Sequence, residues 1–172
     1  AGARGVCIKL GPGMDLEPPH VGPEDEREFI AEHGTLTQQA LWTGELALHP
    51  GGTSATLACE GLTLHGTPGA TPCRGDARWA RMLAVPSPAL ERARLVHLVA
   101  GHAAEPAPGL GVLTADDIPA SPWLERHAVV ATLPAREREV AAWLRAHGGG
   151  VPVVRTRGKA CDPSTWLAAL RS

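Results

Sequence analysis

The final forty or so residues change hydrophobic period repeatedly, and this limits the folds open to them more than any other feature of the chain. His127 to Pro134 (HAVVATLP) is a short β-branched run closed by Pro134, which has no N–H to give to a ladder. From Ala135 the repeat becomes helical. Val140, Trp143, Leu144 and His147 fall on one side, and Arg136, Glu137, Arg138, Glu139 and Arg145 on the other. Gly148, Gly149 and Gly150 end that helix, because glycine takes the left-handed terminal conformation without a Cβ clash. Val151, Val153 and Val154 predict a second strand that runs into Arg155, Arg157 and Lys159. Asp162 then caps a second helix, with Pro163 at its first position and Trp166, Leu167 and Leu170 on its buried side. The segment reads as a βαβα unit with cations on one strand-to-helix edge.

A chain of 172 residues allows one domain, or a small domain with part of another. Its formal charge of −2 is unevenly spread. Residues 1–124 hold 8 Lys and Arg against 14 Asp and Glu, a net of −6, whereas residues 125–172 hold 8 against 4, a net of +4. An anionic partner would dock on the C-terminal part; the competing reading is that arginine is simply common in this Ala/Gly/Pro/Arg-rich composition. Cys7, Cys59, Cys73 and Cys161 form no CxxC pair, which predicts reduced, mostly buried thiols in a cytoplasmic protein. No apolar run approaches the roughly 20 residues needed to span a bilayer. With neither a signal peptide nor an initiator Met, the chain is expected to begin within a longer protein or to have been processed.

Ahead of the terminal unit, Gly5 to Leu10 reads as a strand feeding the loop GPGMD, and Leu16 to Glu28 as an exposed connector rich in Pro and acids. Strand-like pieces follow at Glu28–Glu32, Thr35–Trp42, Ser54–Cys59 and Leu62–His65, with a tight turn at Glu60-Gly61. TLTQQALW (35–42) could equally start a helix. Trp79, Met82 and Leu83 predict a short helical turn before Pro86. Ser87 then caps a long helix, with Pro88 at its first position, that continues to about Gly101. Gly111 to Thr114 is a short strand. The expected fold is α+β in three parts: a remnant strand and linker over 1–24, a β-rich middle with one long helix over 25–124, and the βαβα unit over 125–172.

Several of these stretches resemble bacterial S-adenosylmethionine-dependent methyltransferases of class I that carry a C-terminal THUMP-like domain. They are VCIKLGPGMD (6–15), REFIAEHGTLTQQALWTGEL (27–46), the run from PSPALERARLV to GVLTADDIPASPW (86–123), and residues 126–171. The sharpest are KLGPGMD and the ending formed by Arg155, Arg157, Gly158, Asp162 and Pro163. The resemblance implies a preceding Rossmann-like domain with a glycine-rich cofactor loop and an Asp-Pro catalytic loop, neither of which occurs in this chain. It therefore implies a C-terminal portion, clipped at both ends, with no catalytic or cofactor-binding residues of its own. S-adenosylmethionine and an N-terminal methyltransferase domain would belong to the parent protein. Structured RNA, tRNA or rRNA, is the partner that a THUMP-like region implies; no membrane or metal is expected.

Arg155, Arg157 and Lys159 alternate along the expected strand, so their side chains would leave on one face and converge on a phosphate backbone. A solvated edge strand guarded by charges predicts the same residues. Arg136 and Arg138 extend that patch or merely pair with Glu137 and Glu139. Trp143 and Trp166 could stack on bases but read first as core, like Trp42, Trp79 and Trp123. Cys7, Cys59, His65 and Cys73 match no zinc-ligand spacing, and no nucleophilic triad can be argued. The candidate nucleic-acid-binding set is therefore Arg155, Arg157, Lys159, Arg136 and Arg138. The competing function is a structural module that packs on the catalytic domain without touching RNA.

Overall fold

Two hairpins fix the register of the first sheet. His33 and Gly34 both have positive φ (48° and 73°), the requirement of a two-residue turn whose twist matches its strands. They join β2 (Glu26–Glu32) to β3 (Thr35–Trp42), so the ambiguous TLTQQALW segment is a strand. A four-residue turn, 58–61, with Gly61 at φ 64°, joins β4 (Thr53–Leu57) to β5 (Leu62–Gly66). It contains Glu60-Gly61 but is longer than the tight turn expected there, and β4 stops at Leu57, short of Cys59. The computed structural model describes residues 3–15, 21–148, 150, 152–156 and 162–171. It divides into two units, Ala1–Ala128 and Val129–Ser172.

In unit 1, β1 (Cys7–Leu10) pairs antiparallel with β3, giving a five-stranded sheet of order β1-β3-β2-β4-β5. Only β2 and β4 run parallel. The register places Arg27 and Phe29 on one face with Leu41, Gln39, Ala55 and Leu64, and Glu26 and Glu28 on the other with Trp42, Ser54, Thr56, Thr63 and His65. The first face is apolar where helix α1 (Pro88–Arg92) packs on β2 and β4. Leu90, Leu95, Leu113 and Ile118 are fully buried there with Phe29 and Ala55. Burial of this order, at about 25 cal/mol per Å² of apolar surface, is what holds unit 1 together. A second sheet, with β6 (Met82–Pro86) between β7 (Leu113–Ala115) and β8 (Leu124–Ala128), completes the core through Ala84, Leu113, Ala115 and Leu124.

Helix α1 corrects one expectation. Ser87 caps it, accepting from Leu90 N–H at 3.2 Å, with Pro88 at the first position as the sequence indicates. The helix nevertheless stops after Arg92, because Arg94 turns left-handed (φ 58°). Leu95 N–H then bonds Leu90 carbonyl at 3.1 Å and Arg94 N–H bonds Glu91 carbonyl at 3.0 Å. This is a Schellman ending, with Leu90 and Leu95 as its buried apolar pair. Val96–Leu98 is a separate 3₁₀ turn, so the expected long helix is two short pieces. Met82–Pro86, read above as a helical turn, is instead β6, the centre of its sheet, paired with β7 (Leu113–Ala115) and β8 (Leu124–Ala128). Pairing on both sides outweighs its weak strand propensity.

Unit 2 holds α2 (Glu137–Ala146) and α3 (Pro163–Arg171), which pack on each other. Its expected strands take a different form. The first lies earlier, as β8, and ends at Ala128 because its partner β6 begins at Met82. Residues 152–156 have no regular structure, and Val130 and Val153 are 77% and 80% exposed. A β-branched run without a partner ladder gains nothing from extension. Two sheets with few helices make the fold α+β.

Candidate functional site

Two groupings could carry chemistry. On the open face of the first sheet, Glu26 is 4% exposed and Ser54 1%. Ser54 Oγ–H donates to Glu26 Oε1, and His49 N–H donates to Oε2 at 2.9 Å. With its hydrogen committed to Glu26, Ser54 Oγ accepts from His65 Nδ1 at 2.8 Å, which fixes the Nδ1–H form of that ring. His65 Nδ1 also lies 3.6 Å from Glu26 Oε1 and stacks on His49, with ring centroids 3.7 Å apart. One register step along, Glu28 accepts from Thr56 Oγ1 at 2.5 Å and from the Trp42 indole N–H at 2.9 Å. A cleft of about 270 Å³ lies over these side chains, with Leu46 and Leu48 in its wall.

The order of groups decides what this cluster can do. A nucleophilic triad sets the imidazole between hydroxyl and carboxylate, so that it can take the hydroxyl proton. Here the hydroxyl stands between the other two, and its proton already belongs to a buried carboxylate. Burial alone pushes the Glu26 carboxyl up, but the Ser54 hydroxyl and the His49 and Leu48 backbone, with the His49 ring, outweigh it and hold the group below its ordinary range. The cluster ties β2, β4, β5 and the 46–52 segment together. It does not make Ser54 a nucleophile.

The second grouping is in unit 2. Arg136 sits at the start of α2 and donates to Glu139 Oε1 at 2.9 Å, the helix-surface pairing weighed above. Arg138 is exposed on the first turn and, among the described residues, makes no hydrogen bond or ion pair. Arg155 is exposed and lies in irregular backbone, not on a strand. Arg157 and Lys159 lie outside the described residues. A cleft of about 390 Å³ brings Arg136, Glu137, Arg138 and Glu139 together with Trp166 of α3. Trp166 is half-buried, and so is Trp143, which stacks on His147. Their helical spacing with aliphatic neighbours pointed to core; two short helices cannot cover an indole completely.

Other expectations are placed as follows. Trp123 is buried, whereas Trp79 is 43% exposed and not core. Cys7, Cys59 and Cys73 are exposed free thiols, not buried ones, and Cys161 lies outside the described residues. No group of three or more His, Cys, Asp or Glu able to hold a metal occurs among the described residues, and no described helix is long and apolar enough to cross a membrane. Asp15, in the Gly11–Asp15 loop, is 78% exposed on its side chain and bound by the Arg92 guanidinium.

Neither a family model nor a curated protein matches the chain. Among solved structures it is similar to a protein from Porphyromonas gingivalis W83 provisionally described as a methyltransferase, with a TM-score of 0.71 at 14% identity. The match covers 97% of this chain but 44% of that one, so the chain spans less than half the length of its structural neighbour. The likeness is one of fold: nearly all of this chain, both units included, has the fold of part of a methyltransferase-described protein.

Proposed function

We propose that this chain is a non-catalytic accessory region of an S-adenosylmethionine-dependent methyltransferase, and that it holds folded RNA for a catalytic domain outside the chain. The observation that carries the first half is the fold likeness over 97% of the chain to part of a protein described as a methyltransferase. The Ser54–Glu26 order, in which the hydroxyl already donates to a buried carboxylate, supports a region that does no chemistry itself. The RNA half rests on charge. Residues 125–172 carry a net of +4, and Arg138 and Arg155 are exposed there, while residues 1–124 carry −6 and repel polyanions.

Electrophoretic binding of a tRNA transcript at two salt concentrations tests this reading. Each phosphate contact should add close to one unit to the slope of log affinity against log salt, about −0.7 to −0.9 per contact. Combined Arg155→Ala, Arg157→Ala and Lys159→Ala should remove most of the binding. Salt-insensitive binding, or a triple variant that binds as well as wild type, refutes the patch. A structural module that docks on the catalytic domain is the second reading. Exposed Val6 and Ile8 on and beside the edge strand β1 favour it, since an unpaired apolar edge is a place where another chain can add.

A further inference from the structure

The cleft between α2 and α3 holds more than surface charge. Arg136 and Glu139 satisfy each other along its α2 wall. Glu137 and Arg138 also line it and, among the described residues, neither side chain has a hydrogen bond or ion pair. Glu137 needs no ligand to explain its place, because a carboxylate in the first turn of a helix is stabilised by the helix dipole. Arg138 is the reverse case: that dipole disfavours a cation there, and no carboxylate compensates it. Beside both groups stands Trp166, half-buried and lining the cleft. The cleft thus offers an aromatic face, an uncommitted acceptor pair and an uncommitted fork of donors.

We propose that this cleft binds one unpaired purine base of an RNA, guanine in preference to adenine, an inference that rests on the RNA reading above. The base stacks on Trp166, a contact that every base can make and that gives affinity without sequence. Glu137 selects. Its two oxygens accept from the guanine N1–H and exocyclic amine together, whereas adenine presents a single amine and uracil a single imide N–H between two carbonyls. Arg138 donates to O6 and N7, a pairing that a guanidinium makes in a fixed plane. At about 390 Å³ and open on one side, the cleft admits a purine while its sugar and phosphate stay outside, towards solvent.

The test uses the full chain and four probes: GMP, AMP, UMP and inorganic phosphate. In ¹H–¹⁵N correlation spectra, the Trp166 indole signal, assigned by its absence in Trp166→Phe, should shift with GMP at lower concentration than with AMP or UMP. It should not move with phosphate. Glu137→Gln should remove the preference for GMP over AMP while keeping the shift. Trp166→Ala should weaken a guanine-bearing single-stranded oligonucleotide about tenfold, and Trp166→Phe should recover part of that loss. An equal response to phosphate, or no response to any nucleotide while tRNA still binds, overturns the purine site and leaves the RNA reading standing. A GMP response in a chain that binds no tRNA supports the purine site and sinks the RNA reading.

Discussion

Unit 1 and unit 2 are held together by different means. In unit 1, residues far apart in sequence pair across two sheets, and a single cluster of buried apolar side chains joins α1 to both. That framework buries a charged group safely, because Ser54 of β4 and the 46–52 segment bring donors to Glu26, and His65 of β5 holds Ser54 in turn. In unit 2, two helices of 10 and 9 residues meet, and Ala141 is the one apolar residue buried there among the described residues. A pair of helices this short cannot enclose its tryptophans, and it leaves the Arg138 side chain unpaired among the described residues. The contrast teaches where a ligand can be met. The well-packed unit ties up Glu26 and Ser54 and keeps its unpartnered polar atoms (Gln39 Oε1, Thr53 Oγ1 and His97 Nδ1) buried away from solvent. The sparsely packed one leaves the side chains of Glu137, Arg138 and part of Trp166 available.

The largest effect that would break this contrast comes from the core. Leu90→Ala removes a fully buried side chain from the α1 packing and should cost about 2–5 kcal/mol. Leu144→Ala, at a half-buried site on α2, should cost well under half of that. Native-state hydrogen exchange read by residue separates the units: Leu90→Ala should lower protection in β2 and β4 and leave α2 as it was. If α2 loses protection in parallel, the two units unfold as one and the distinction is wrong.

Next in size is the buried carboxylate. In Glu26→Gln one of the two acceptor oxygens becomes an NH₂ group, which must face either the Ser54 hydroxyl or the His49 N–H. Facing His49 N–H it sets donor against donor; facing Ser54 it reverses that bond and turns the hydroxyl onto His65 Nδ1. Either way the charged acceptor is lost, at a cost of about 1–3 kcal/mol in urea unfolding. The His49–His65 stack should loosen with it, visible as separate ring signals. A neutral result would mean that the open face is as loosely organised as unit 2.

How much of this could be read from the chain depends on whether the deciding contact is local. The Gly61 position in the β4–β5 turn, the Ser87–Pro88 helix start and the Asp162 cap are local chemistry, and they stand where the residues put them, although that turn is four residues long and not two. The end of α1 is local too, but its signal was hidden: Arg94 takes the position that glycine normally marks, so the periodic run through Leu95 and Leu98 looked continuous. β6 was out of reach because Met82–Pro86 is a strand only by virtue of β7 and β8, each more than twenty residues away in sequence. The Glu26–Ser54–His65 cluster was missed for the same reason, since three single residues on three strands carry no spacing signature. Periodicity places Trp166 on the apolar side of its helix but does not report how much lies against that side, and the indole is half-buried.

The smallest effect sharpens the contrast from the other side, because it acts on unit 2 alone. Asp162, just ahead of α3, accepts from Ser164 Oγ at 2.7 Å, Thr165 Oγ1 at 2.8 Å and Ser164 N–H at 3.0 Å. The Ser164 hydroxyl, then the Thr165 hydroxyl, then the Ser164 backbone hold its carboxyl down at about 2, against an ordinary value of 3.8. A depressed carboxylate lends its support to the folded form above the ordinary value and loses it as pH falls through the depressed one. In an acid titration the Ser164 amide signal should therefore move with a midpoint near 2, and the first turn of α3 should fray there. Asp162→Ala should abolish that transition and weaken the first turn at every pH, while the signals of β2 and β4 stay in place. A midpoint near 3.8 would show an unheld carboxylate. The start of α3 would then have no cap, and the position of Trp166 three residues into that helix would lose its anchor.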